Sequence, residues 1–75
     1  MNAEQRKKIE IVLDQLETAK IIVDEISCQE QEKFENLSEG LQQTEANQKL
    51  EENASVFDGL KDKIEEIING LEEYL

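Results

Sequence analysis

Leu50, Phe57, Ile64 and Leu71 recur at strict seven-residue intervals, and Leu60, Ile67 and Tyr74 follow the last three of them by three residues. A seven-residue apolar repeat keeps one stripe of a helix against a neighbour along its length, so this half of the chain must pack lengthwise on another helix. The first half supplies a matching stripe. Ile9, Val12, Leu16, Ala19, Val23 and Ile26 alternate three- and four-residue steps, and Leu13 and Ile22 widen the face beyond what one partner helix covers.

These patterns divide the chain into two helices. The first spans about residues 3–35, with Asn2 as N-cap and Glu4 in the first turn, and neither Pro nor Gly interrupts it. After Ile26 the stripe weakens, because Glu30 and Lys33 occupy the next seam positions. A connection of about residues 36–44 follows. There Asn36 and Ser38 compete for backbone hydrogen bonds, and Gly40 can adopt a left-handed conformation without steric cost. Phe34, Leu37 and Leu41 are expected to tuck under this end of the bundle and offer a docking surface for a partner.

The second helix starts near Thr44 or Asn47 and covers about residues 45–75. Gly59 and Gly70 each weaken it by roughly 1 kcal/mol relative to Ala. Gly59, beside Leu60, permits either a close helix approach or a slightly weakened exposed turn. The expected fold is all-α, a single-domain antiparallel two-helix hairpin. Asp14-Gln15-Leu16-Glu17 and Asp58-Gly59-Leu60-Lys61 read alike, as any two acidic amphipathic helices do.

Size adds a constraint. Seventy-five residues with two Phe, one Tyr and no Trp fill a narrow aliphatic seam and no thicker core. A hairpin of this size is marginal alone, and oligomerisation is the usual remedy. Two hairpins pairing into a four-helix bundle would bury both stripes. The interface residues are then Ile9, Val12, Leu13, Leu16, Ala19, Ile22, Val23 and Ile26 with Leu50, Phe57, Leu60, Ile64, Ile67, Leu71 and Tyr74.

The chemistry points away from catalysis. Histidine is absent, which removes the commonest general base and metal ligand, and Cys28 is the only cysteine. Cys28 cannot form an intrachain disulfide. With acidic Glu25 and Glu30 nearby, it reads as a small, partly buried residue and not a reactive thiol. No calcium-loop spacing, Gly-rich phosphate loop or nucleophile with a base occurs. No enzyme activity, cofactor or metal is expected.

Nineteen acidic against eight basic residues give a net charge of −11. That balance repels nucleic acid and anionic membranes and attracts basic protein surfaces. Arg6, Lys7 and Lys8 form a basic cluster too small for a phosphate patch, suited to balancing nearby acids or to meeting an acidic stretch of a partner subunit. No apolar run reaches membrane-spanning length. Ile9–Leu13 is interrupted by Glu10 and stopped by Asp14, so no secretory signal is read and the cytoplasm is the expected compartment. The matches to the glycosylation pattern at Asn36 and Asn53 then carry no meaning.

The run Gln29-Glu30-Gln31-Glu32-Lys33-Phe34-Glu35-Asn36-Leu37-Ser38-Glu39-Gly40-Leu41-Gln42 resembles a pattern in small acidic proteins of uncharacterised function encoded by bacteriophages and prophages. In those, an acidic helix end is followed by an aromatic, an Asn, Leu or Ile, Pro-Glu and Leu-Gln before a second acidic helix. Ser38 stands where that pattern has Pro, which leaves the turn less rigid. The resemblance implies a phage context in a bacterial host and a helical hairpin, and no activity.

Three functions fit these features, the third being a small regulator or adaptor in a larger assembly with Phe34, Leu37 and Leu41 as its docking end. The first is a protein-interaction module that self-associates as a homodimer and docks on a host or phage protein. The second is an acidic nucleic-acid mimic inhibiting a host defence protein, with Glu51, Glu52, Asp58, Asp62, Glu65, Glu66, Glu72 and Glu73 as its face. Spread over a helix of roughly 45 Å, the net charge is about one per 4 Å, or one per 2 Å in a side-by-side dimer, against about 1.7 Å for duplex DNA.

Overall fold

The computed structural model describes all 75 residues and contains only helices. Helix α1 spans Ala3–Glu35, the one-turn α2 Glu39–Gln42, and α3 Glu45–Glu72. The long helices α1 and α3 pack against each other as an antiparallel hairpin.

Each helix start has a side-chain cap. The Asn2 side chain accepts from the Gln5 backbone N–H at 2.8 Å, and the Gln5 side chain accepts from the Asn2 N–H at 3.2 Å, a reciprocal capping box. Thr44, and not Asn47, caps α3 by accepting from the Asn47 N–H at 3.3 Å. Ser38 caps α2. The chain therefore turns by starting two new helices in succession. Gly40 lies inside α2, and no residue has positive φ, so its left-handed freedom goes unused. Gln42 ties the turn together by donating to the carbonyls of Phe34 at 3.2 Å and Leu37 at 3.1 Å, which satisfies groups that a helix end otherwise leaves orphaned.

The register across the seam is fixed by three contacts. Ser27 Oγ donates to the Ala54 carbonyl at 2.7 Å, Lys20 reaches Glu65 at 2.6 Å, and Lys61 reaches Asp24 at 3.4 Å. On α1 the inward residues are Ile9, Leu13, Leu16, Lys20, Val23, Ser27, Glu30 and Phe34. On α3 they are Leu50, Ala54, Phe57, Lys61, Ile64, Ile68 and Leu71. All fifteen are buried or half-buried, and Ile9, Ser27, Ala54 and Ile68 are the four buried outright.

This seam differs from the expected one in the same way on both helices. The seven-residue line Leu50, Phe57, Ile64, Leu71 does face α1. Its companion row is four residues on, at Ala54, Lys61 and Ile68, and not three residues on at Leu60, Ile67 and Tyr74. On α1 the companions are Leu13, Lys20 and Ser27, each one residue past Val12, Ala19 and Ile26. Val12, Leu60, Ile67 and Tyr74 are exposed, as is Ile22, while Ala19 and Ile26 are half-buried. Both rows adjoin the shared line, since three residues turn a helix back by about 60° and four turn it on by about 40°. Small side chains at Ser27 and Ala54 let the backbones approach, and the lysines of the chosen row find carboxylates across the seam.

The hairpin is a rod of 59 × 14 × 13 Å with a radius of gyration of 17.2 Å, where a compact chain of this length would have about 11 Å. Its accessible surface is 5612 Å², roughly 900 Å² above the ~4,700 Å² of a compact monomer of this mass.

Candidate interaction surface

In heptad terms, Leu13, Lys20, Ser27, Ala54, Lys61 and Ile68 are a positions, and the lines through Ile9 and Leu50 are d positions. The flanking e and g rows then fall on opposite sides of the seam. Because the helices run antiparallel, the two e rows share one face of the hairpin and the two g rows share the other.

The e face is acidic. Glu10, Glu17 and Asp24 from α1 meet Glu51, Asp58, Glu65 and Glu72 from α3. At mid-length, Lys20 and Lys61 emerge onto this face. Lys20 bridges Glu65 at 2.6 Å and Glu17 at 3.3 Å, while Lys61 bridges Asp58 at 3.0 Å and Asp24 at 3.4 Å. Hydrogen bonding to Glu65 first and Glu17 second raises the Lys20 pKa above its usual 10.5. Asp58 first and Asp24 second do the same for Lys61. The two clusters repeat with an offset of 41 residues, Glu17-Lys20-Asp24 against Asp58-Lys61-Glu65. This pseudo-twofold relation replaces the offset of 44 in the alignment of Asp14 with Asp58.

The carboxylates expected to form a mimic face lie on or beside these rows. Glu51, Asp58, Glu65 and Glu72 are e residues, and Glu52, Asp62, Glu66 and Glu73 lie behind them toward solvent. Toward the connection, a shallow groove of about 450 Å³ has Cys28, Glu32, Glu35, Glu51 and Asp58 among its lining residues. Cys28 is exposed, contrary to the expected partial burial. Glu30 Oε2 is buried without a hydrogen bond, and its nearest cation, Lys33 Nζ, stands 3.9 Å away.

The g face is apolar and free of acid. Its three central rungs are Val12 with Tyr74, Ala19 with Ile67, and Ile26 with Leu60, and the adjoining c rows add Ile22 and Val56. None of the nineteen acidic residues occupies a g or c position, whereas Lys8, Lys33, Lys49 and Lys63 all do. Ile67 is 53% exposed and Tyr74 58%, although both belong to an apolar row that repeats every seven residues with Leu60.

Of the docking residues expected at the connection, Phe34 closes the seam, Leu37 is half-buried and Leu41 is exposed. Sequence reasoning missed Ala54 and Ile68. Each lies on a row that a lysine interrupts, so the periodic apolar signal runs one step away from them. Gly59 and Gly70 have open space where a side chain would stand, so Gly59 marks no close approach. No helix is long and apolar enough to cross a membrane. Comparison with family models, with curated proteins and with solved structures gave no match.

Proposed function

We propose that this protein is a non-catalytic interaction module whose working form is two hairpins joined through their g faces into a four-helix bundle. The acidic faces then point outward, toward a basic protein of the phage or bacterial host implied by the likeness of Gln29–Gln42 to phage-encoded proteins. One observation carries the reading: two apolar rows, Val12-Ala19-Ile26 and Leu60-Ile67-Tyr74, lie outside the seam of the single hairpin and leave Val12, Leu60, Ile67 and Tyr74 exposed. Contiguous exposed apolar surface rimmed by polar residues marks an interaction site. Magnitude agrees. The surface excess of roughly 900 Å² per copy is close to the ~800 Å² that each partner buries in a standard interface. No carboxylate lies on a g or c position, so the like charge of two copies opposes pairing only from outside this face.

Sedimentation tests the reading. The wild-type chain should run as a dimer at micromolar concentration, and Leu60→Glu/Ile67→Glu should run as a helical monomer. A wild-type chain that stays monomeric at high micromolar concentration, with its helicity intact, would rule out self-association.

Mimicry of nucleic acid is the second reading, supported by the gathering of seven e-row carboxylates from both helices on one face. The rod's length weakens it. Eleven net charges over 59 Å is one per roughly 5 Å, and two copies give one per roughly 3 Å, against about 1.7 Å for duplex DNA. Lys20 and Lys61 also neutralise the middle of that face.

A further inference from the structure

The three apolar rungs of the g face are spaced seven residues apart, so Ala19 with Ile67 lies midway between the outer two. Ala19 is also the midpoint of α1, sixteen residues from Ala3 and sixteen from Glu35. A twofold axis along the rod or across it at Ala19 superposes apolar rungs on apolar rungs equally well, so hydrophobic matching leaves the direction of pairing open. Charge closes it.

The two ends of the rod are electrically unlike. From Glu30 through Glu52, around the connection, seven carboxylates face only Lys33 and Lys49, a side-chain net of −5. At the open end, over the same depth of both helices, Arg6, Lys7 and Lys8 stand against Glu4, Glu65, Glu66, Glu72 and Glu73, a side-chain net of −2. Parallel pairing sets the two −5 ends side by side, about 10 Å apart between helix axes, which is near the screening length at 0.1 M salt. Antiparallel pairing sets each −5 end against the less charged −2 end. Centred on Ala19, it brings residues 6–8 of one copy to the level of residues 30–32 of the other, so the basic cluster meets Glu30 and Glu32.

We infer that the occupant of the g face is a second copy of this chain lying antiparallel, α1 on α1 and α3 on α3, with the connection of each hairpin at the open end of the other. The inference rests on the self-association proposed above and adds its geometry. Pulsed dipolar spectroscopy on a Cys28→Ser/Gln43→Cys chain, spin-labelled at position 43 in the exposed connection, tests it. Antiparallel pairing puts the two labels at opposite ends of the bundle, with a distance beyond about 45 Å from the helical rise. A distance below about 25 Å means parallel hairpins; it overturns this geometry and leaves self-association standing. A labelled sample that sediments as a monomer overturns both.

Discussion

Ile67 and Ile68 are chemically identical neighbours in opposite surroundings, 53% and 1% exposed. Truncating Ile68 to Ala opens a cavity at the one large side chain that the seam buries completely, so unfolding should become easier by roughly 2–5 kcal/mol. Truncating Ile67 removes a side chain that already faces water, so in the dilute monomer the change should stay within about 0.5 kcal/mol. The same Ile67→Ala chain should nonetheless dimerise more weakly than wild type. Urea unfolding followed by circular dichroism at low concentration, set beside sedimentation at high concentration, separates the two effects. Equal destabilisation by both substitutions at low concentration would mean that the seam turns the other way.

At the scale of elements, the ends of the helices are legible in the sequence and the facing of the helices is not. Asn2 and Thr44 are residues whose side chains accept from a backbone N–H two or three positions on, a local event that local sequence encodes. Which of two rows faces the neighbour is a tertiary choice. Periodicity selects the more apolar row, Val12-Ala19-Ile26 and Leu60-Ile67-Tyr74. The hairpin instead takes the row holding Lys20, Ser27 and Lys61, because those residues gain partners across the seam.

That polar layer makes a prediction with a definite sign. Both lysines have folded pKa values above the ordinary 10.5. Their contribution to stability is therefore fully present below pH 10.5 and is lost as pH rises through the raised folded values. Thermal melts should fall as pH rises above that ordinary lysine value. Lys20→Met/Lys61→Met should flatten part of that fall, since replacing a partly buried ionic layer with apolar side chains is often close to neutral for stability at pH 7. A double variant with an unchanged alkaline slope would assign the fall to general charge repulsion.

For the whole molecule, two charge effects act at once and respond oppositely to salt. Each copy carries −11, so two copies repel over most of their length while the acid-free apolar faces attract. The screening length drops from about 10 Å at 0.1 M salt to about 3 Å at 1 M, which removes most of the repulsion and leaves hydrophobic burial intact. Added sodium chloride should therefore tighten the dimer, and at fixed salt the melting temperature should rise with protein concentration, because pairing stabilises only the folded chain. Docking of the outward acidic faces on a basic protein depends on unscreened attraction and should weaken over the same range. Sedimentation and melting across a salt series, run beside binding to a basic test protein, should show the two trends crossing. A dimer that dissociates as salt rises would mean that charge, and not the g face, holds the copies together.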